Sequence, residues 1–509
     1  MLVDNGVKND SRVQKSARSA AEAGWEVILF GISPTREMET FHLGDAEVRL
    51  IPKVSPLAVR KADMRGPRMR NPLAYRTPQI AAYRQQAVKA WRSDLRFRAA
   101  AAKAEGPGRP SAGGSPARLA VPKASAKAMS KWVGLRSRMT GRLKRKRAKF
   151  DAPIDRAVTS VLKTTKGVRA WRQLEPYLWD FELAFAKHID DLQPDLIHSH
   201  DFRMLGVGAR AAVRARAAGR PVKLIWDAHE FVGGLQPGHE RWLPAHVAWE
   251  KEHAVFADAV ITVSPSLAEL LVKNHNLKET PAVVLNTPVT KPDPEEVAAA
   301  DPLPDLRELC GIDKDTPLLA YCGGINAVRG VETMIEGLAF LPDVHIALVC
   351  VPPGAGKLSP LVVKMLKSAD DLGVGDRVHL VPYVPHWQVP EFLATADAAV
   401  SPLHHLPNHE LALSNKFFEY SQAKLPLVVS DTRTMADMVE KTGQGEVFKA
   451  KDAKDYARAV KAVLADPKRY RAAYEQPGLL EKWTWEAQAV VQDEVYSRLL
   501  PGTASDATG

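Results

Sequence analysis

Cysteine is almost missing from this chain. Cys310, Cys322 and Cys350 are the three in 509 residues, too few and too scattered for a disulfide framework or a zinc site, and they point to a reducing compartment. Long apolar runs are missing too. None approaches the roughly 18 residues a membrane helix needs, and the N-terminus carries no signal-peptide pattern. A cytoplasmic protein is expected, rather than a secreted or membrane-spanning one. Acids are scarce in one stretch only. Between Arg60 and Lys149 stand 25 Lys plus Arg against Asp63, Asp94 and Glu105, so this segment carries +22 and the remainder −11. The basic balance belongs to one insertion and not to the protein as a whole.

What is present is an ordinary globular composition, 45% apolar and 25% charged, in a chain long enough for two to four domains of roughly 100–200 residues. Asn9, Asp10 and Ser11 can cap a helix over 13–23. Gly24 suits the left-handed residue that ends it, and 25–30 reads as a buried strand. Only Met1, Leu2 and Val3 precede Asp4, where a parallel strand usually has about five or six residues, so a start further upstream is expected. Short apolar strands that end in polar residues then recur, at 194–201, 222–230, 259–264 and 283–286, with helical segments between them. That alternation is the signature of a doubly wound parallel sheet. A second set follows at 318–322, 345–350, 378–381, 398–401 and 427–429.

The expected fold class is therefore α/β, with two Rossmann-like parallel-sheet domains facing across a cleft. The first spans 1–290 and carries the basic insertion at about 60–150. A linker rich in Pro and acids covers 291–306, and the second domain spans 307–475. A terminal helix within 476–500 should pack back on the first domain, leaving a tail over 501–509. The insertion reads as two helices, 78–104 and 125–150, around a Gly/Pro-rich flexible centre at 106–116. Trp91, Leu95, Trp132, Leu135, Met139 and Leu143 recur in it at helical spacing.

Ligands in such sheets bind at the carboxyl ends of strands. After the strand 318–322 come Gly323 and Gly324, which let a ligand approach the backbone, and Arg329, whose fork matches phosphate oxygens. Ser414 opens a helix whose free N–H groups suit an anion, with Asn415 and Lys416 in its first turn. Glu419, about one turn on, could accept both hydrogen bonds from a ribose diol. Each feature alone is also compatible with a plain turn, a surface charge or a capped surface helix. His198 and His200 share one strand face, and His404, His405 and His409 cluster in a loop. No spacing completes the three or four ligands zinc wants, so no metal is expected.

Taken together, Asn9-Asp10-Ser11-Arg12-Val13, His198-Ser199-His200-Asp201, Asp227-Ala228-His229-Glu230, Gly323-Gly324 to Arg329-Gly330 and Asn415-Lys416-Phe417-Phe418-Glu419-Tyr420 resemble the retaining, two-Rossmann-domain (GT-B) glycosyltransferases of family 4. The resemblance covers about 1–50 and 190–475. It implies that Glu419 holds the nucleotide ribose and that Arg329 contacts the donor diphosphate. Asn415 and Lys416 would lie at the phosphate-proximal helix start. His229 would reach the transferred sugar, and His200 with Asp201 would lie nearer the acceptor; His229 and His200 are the catalytic candidates. Two positions depart from the family pattern. Leu411 stands where a first glutamate is expected, with Glu410 one residue off. Gly324 stands where many members carry a second phosphate-binding arginine, which leaves Arg329 as the main cation and Lys416 as the second.

The implied reaction moves a sugar from a UDP- or GDP-linked donor to a hydroxyl acceptor, such as a glycan or lipid-linked sugar, in cell-surface glycan or glycolipid synthesis. The resemblance implies no cofactor and no metal, with arginine, lysine and helix dipole offsetting the leaving diphosphate's charge, and no strong base, because the leaving phosphate oxygen can take the acceptor's proton. Two other classes stay open: a nucleotide-sugar epimerase of the same layout, and a non-catalytic scaffold acting through its basic insertion. For that insertion an anionic membrane surface at the inner face is expected ahead of non-specific nucleic acid. A solvated segment without a partner weighs as much as these two readings together.

Overall fold

The computed structural model describes residues 1–8, 10–58, 72–104, 120–149, 153–352, 358–411 and 413–501. Asn9, the 106–116 centre of the insertion and nearly all of the expected tail lie outside these residues. The chain divides into two compact units: 1–54, 181–235 and 249–509 form one, and 55–180 with 236–248 form the other. The first unit contains both parallel sheets. No helix among the described residues is long and apolar enough to cross a membrane.

The amino-terminal sheet is built from β1 (Ile28–Ser33), β2 (Glu39–Leu43), β3 (Ala46–Pro52), β4 (Leu196–His200), β5 (Lys223–Ala228), β6 (Ala259–Thr262) and β7 (Ala282–Val283). Leu2 joins its two halves. It bridges Phe30 of β1 on one side and Ser199 of β4 on the other, both in parallel. Its N–H donates to the His198 carbonyl at 2.8 Å, and its carbonyl accepts from His200 N–H at 2.9 Å. The residues at 1–3 thus occupy the central strand position expected of them. Asp10 caps the helix Ser11–Glu22 by accepting from Val13 N–H, and Gly24 follows with φ +92°. The first strand after the cap begins three residues later than the sequence suggests, at Ile28. The hairpin of β2 against β3 carries an antiparallel edge strand that the sequence pattern did not reveal.

The second sheet has β8 (Leu318–Cys322), β9 (His345–Val351), β10 (Val378–Pro382), β11 (Ala398–Ser401), β12 (Leu427–Ser430) and β13 (Gly445–Phe448), in the order β10-β9-β8-β11-β12-β13. All its pairings are parallel. Strand order reverses between β8 and β11, and crevices that bind ligands form at such switch points. Leu318, Ala320 and Cys322 face one core while Leu319 and Tyr321 face the other. Burial on both faces explains why these strands read as continuous apolar runs without alternation.

The helix Trp485–Leu499 closes the first sheet. Val495, Tyr496 and Trp485 join the core of β1 and β3, and Gln492 exchanges hydrogen bonds with Ser16, accepting from its hydroxyl at 2.6 Å. In the second unit two long helices, Pro78–Ala104 and Ala120–Lys149, lie side by side. Beside them Trp171 and Trp179 pack with ring centroids 5.0 Å apart.

Candidate active site

A buried ion pair anchors the carboxyl ends of β4 and β5. Asp227 at the end of β5 is 0% exposed and takes two hydrogen bonds from Arg12, Nε at 2.9 Å and Nη2 at 2.8 Å. The third Arg12 nitrogen donates to the Val284 carbonyl at 3.0 Å. His200 Nδ1 lies 3.0 Å from Asp227 Oδ2 and His229 Nδ1 lies 3.6 Å from it. Burial opposes the Asp227 charge, but the Arg12 guanidinium, with His200 and His229, holds its carboxyl well below the usual range. Burial also lowers His200 and His198, while for His229 the Asp227 carboxylate and Asp201 outweigh burial and raise it to about 9.

The two catalytic candidates therefore differ. His229 keeps 20% of its side chain exposed and is a cation at neutral pH. His200 is wholly buried, stacked 4.1 Å from His198, and it sits beneath Asp227 as a brace for the carboxylate that faces His229. Because the folded state favours the charged His229, its contribution to stability is complete below the ordinary 6.5 and lost as pH rises through about 9. His229→Gln is expected to remove that fall, at most about 3 kcal/mol. The check is the pH dependence of the unfolding midpoint in the variant against the parent.

His198, His200 and Asp227 place three ligand atoms within 4.8 Å of one another. A cation would have to share the Asp227 carboxylate with Arg12, which already holds both of its oxygens. The donor set suits an ion pair better than a metal.

At the switch point of the second sheet, Gly323, Gly324, Arg329, Ser414, Lys416 and Tyr420 line one small cavity of about 60 Å³ with Ser401 at the end of β11. Gly323 has φ +139°, and a Cβ there would stand 2.8 Å from Lys416 Cε, so the bare backbone is what lets the lysine lie over this turn. Tyr420 braces the same turn by accepting from Cys322 N–H at 2.9 Å. Gly330, φ +72°, packs so tightly under the end of β11 that a Cβ would meet the Pro402 carbonyl oxygen at 1.8 Å. This contact seats the Arg329 turn. Ser414 precedes the helix Asn415–Gln422 in extended conformation and makes no side-chain cap bond. Glu419 in that helix is 8% exposed, and its Oε2 has no hydrogen-bond partner among the described residues. Glu410, one residue from the family's first glutamate position, is engaged elsewhere: it accepts from His405 Nδ1 at 2.6 Å and from Arg433 N–H at 2.8 Å.

Two residues that sequence reading did not single out make ties between distant segments. Asn408 accepts from Phe231 N–H at 2.8 Å and donates to the Phe231 carbonyl at 3.2 Å, which fastens the loop of His229 to the loop after β11. Lys15 is buried and donates to Asn286 Oδ1 at 3.0 Å and the Thr287 carbonyl at 2.5 Å, with its amine 4.7 Å from the Trp485 ring centroid. Burial, with Arg12 adding to it, lowers Lys15 to about 7. Neither residue stood out in sequence, because both act through partners more than 170 positions away.

Two family models match the chain in tandem, and together they cover well over half of it. The model described as Glycosyltransferase Family 4 matches 145–290, and the one described as Glycosyl transferases group 1 matches 304–477. The chain belongs to glycosyltransferase family 4. This family 4 chain is 24% identical over 316 residues to a D-inositol 3-phosphate glycosyltransferase of Xylanimonas cellulosilytica, 60% of this chain and 72% of that protein. With the protein of that name from Mycobacterium sp. (strain JLS) it shares 25% over 281 residues, 53% of this chain and 59% of the other. Among solved structures it is similar in fold to a sucrose-phosphate synthase from Thermosynechococcus elongatus, with TM-score 0.57, 16% identity, and 96% and 92% of the two chains covered. Anabaena HepE in complex with UDP matches at TM-score 0.50 and 19% identity over 62% of this chain and 83% of that one. The transferase thus carries the expected α/β class and two-sheet GT-B layout.

Proposed function

We propose that this glycosyltransferase moves a sugar from a nucleoside-diphosphate donor to a hydroxyl acceptor, with retention of configuration and without a metal. The observation that carries the reading is the convergence at the switch point of the second sheet. Arg329, Lys416 and the open start of the Asn415 helix surround one cavity, and the unpartnered Glu419 carboxylate oxygen lies one turn further along. Two cations and a helix N-terminus suit a diphosphate. A carboxylate with a free oxygen suits a ribose diol. UDP in the HepE complex supports a uridine donor.

As the bond from the anomeric carbon to the diphosphate oxygen breaks, Arg329 and Lys416 offset the growing negative charge. The acceptor oxygen bonds on the same face of the sugar, and its proton passes to the departing phosphate oxygen. His229 as a cation donates to the sugar and serves as no base. His200 acts as a positioning residue through Asp227. Metal independence rests on Arg329, Lys416 and the helix start offsetting the charge of the leaving diphosphate. The names of the relatives favour a polyol phosphate as acceptor, and a glycan or lipid-linked sugar is the other class. A cytoplasmic site of action fits the scarcity of cysteine.

Calorimetric titration of UDP, GDP, ADP and CDP into the purified protein tests the donor site. One diphosphate is expected to bind, and Glu419→Ala should weaken it tenfold or more, about 1.4 kcal/mol. Failure of all four to bind folded protein would remove the reading. A sugar donor scrambled without acceptor would instead mark an epimerase.

A further inference from the structure

The two long helices of the second unit pack through a seam of period seven. Ala81, Val88 and Leu95 are the buried positions of one, and Ala126, Val133 and Thr140 of the other. Leu95 packs on Ala126, Arg92 Nη1 lies 3.4 Å from Ser130 Oγ, and Tyr75 N–H donates to Thr140 Oγ1 at 2.9 Å. The helices are therefore antiparallel. A heptad seam one residue wide covers little of either helix.

In an antiparallel pair, residues one before or three after a seam position face the same side on both helices. Here that side holds Ile80 and Trp91 from the first helix and Met129, Trp132 and Met139 from the second, with Tyr83 beside them. Tyr83 is 69% exposed, Trp132 45%, Met129 44%, Ile80 39% and Trp91 37%. By the same rule Arg84, Arg136 and the acid Asp94 join this side, with the Arg136 guanidinium 6.0 Å from the Trp132 ring centroid. Residues that follow the seam by one, four or five face away, and they are Lys89, Arg92, Lys127, Lys131 and Arg138. The hairpin is thus amphipathic as a pair, with aromatic and thioether side chains beside Arg84 and Arg136 on one side and the other basic side chains facing away.

We infer that this side docks on an anionic lipid bilayer. The occupant follows from charge and shape: a +22 segment with three acids is matched by a continuous negative surface, and indole and phenol rings on a flat helical pair favour the headgroup boundary. A base-stacking nucleic-acid site would not need the Ile and Met side chains between the rings. The inference does not depend on the transferase reading, since it concerns only the hairpin.

Flotation of the full chain with phosphatidylcholine vesicles, with and without phosphatidylglycerol, is the test. The chain is expected to float with anionic vesicles only, and to be released as salt shortens the Debye length. Trp91→Ala with Trp132→Ala should lower the partition coefficient about tenfold or more. These residues are exposed, so an unchanged unfolding midpoint shows that the double variant remains folded. Equal binding to neutral vesicles, no binding, an unaffected double variant or preferential binding of an oligonucleotide over anionic vesicles would each overturn the inference.

Discussion

Arg12→Leu is expected to destabilise the protein by about 3–5 kcal/mol, the usual cost of removing one partner of a buried pair. The Asp227 carboxylate is 1% exposed at its side chain and would keep His200 at 3.0 Å and His229 at 3.6 Å in place of two guanidinium bonds. Asp227→Asn should also destabilise, because it leaves the buried Arg12 cation without a counter-charge and turns one of its two acceptors into a donor. The double variant Arg12→Leu with Asp227→Leu should recover much of the loss, since neither charge is then stranded. Chemical-denaturation midpoints of the parent, Arg12→Leu, Asp227→Leu and the double variant supply the double-mutant cycle. An Arg12→Leu protein as stable as the parent would show that the pair is not the anchor of these strand ends. The outcome also bears on His229, whose charged form rests on the same carboxylate.

The second large effect concerns turnover. Arg329→Ala is expected to lower kcat/KM about 10²–10³-fold, with most of the loss in kcat, because in the proposed reaction this arginine meets the growing charge on the diphosphate. Lys416→Ala should act in the same direction and less than additively with it, since both line one cavity. Arg329→Lys should restore part of the activity by keeping the charge without the planar fork. Steady-state kinetics on the parent and three variants decide the matter. A loss confined to KM would place Arg329 in ground-state binding only.

Much of this was legible from the chain alone. Strands β8 and β11 stand where the apolar runs placed them, since strands buried on both faces leave an uninterrupted signal. The helix Pro78–Ala104 begins and ends at its expected residues, where proline and small residues mark its limits. By contrast β2, β3 and β13 carry mixed, half-buried patterns that look like loop until a neighbour supplies the pairing. The β1 start moved to Ile28, where its pairing with Glu47 of β3 begins, while Trp25 bonds to Asp493 of the distant terminal helix through its indole N–H at 2.6 Å.

The site divides along the same line. Residue types within one turn or one strand end, namely Gly323, Gly324, Arg329, Asn415, Lys416 and Glu419, were readable because helix and turn geometry places neighbours in sequence side by side. The different positions of the two histidines were not readable. His200 and His229 each end an apolar strand with a polar residue, and only the sheet register, which sets His200 opposite Asp227, buries one and leaves the other open. The sequence by itself determined the fold class, the charge asymmetry and the grouping of Gly323, Gly324 and Arg329 at one turn, since these depend on local spacing and composition. Tertiary structure alone decided the Arg12–Asp227 pair, the Asn408 and Lys15 ties and the single seam of the basic hairpin, because each depends on which distant backbone segment arrives opposite.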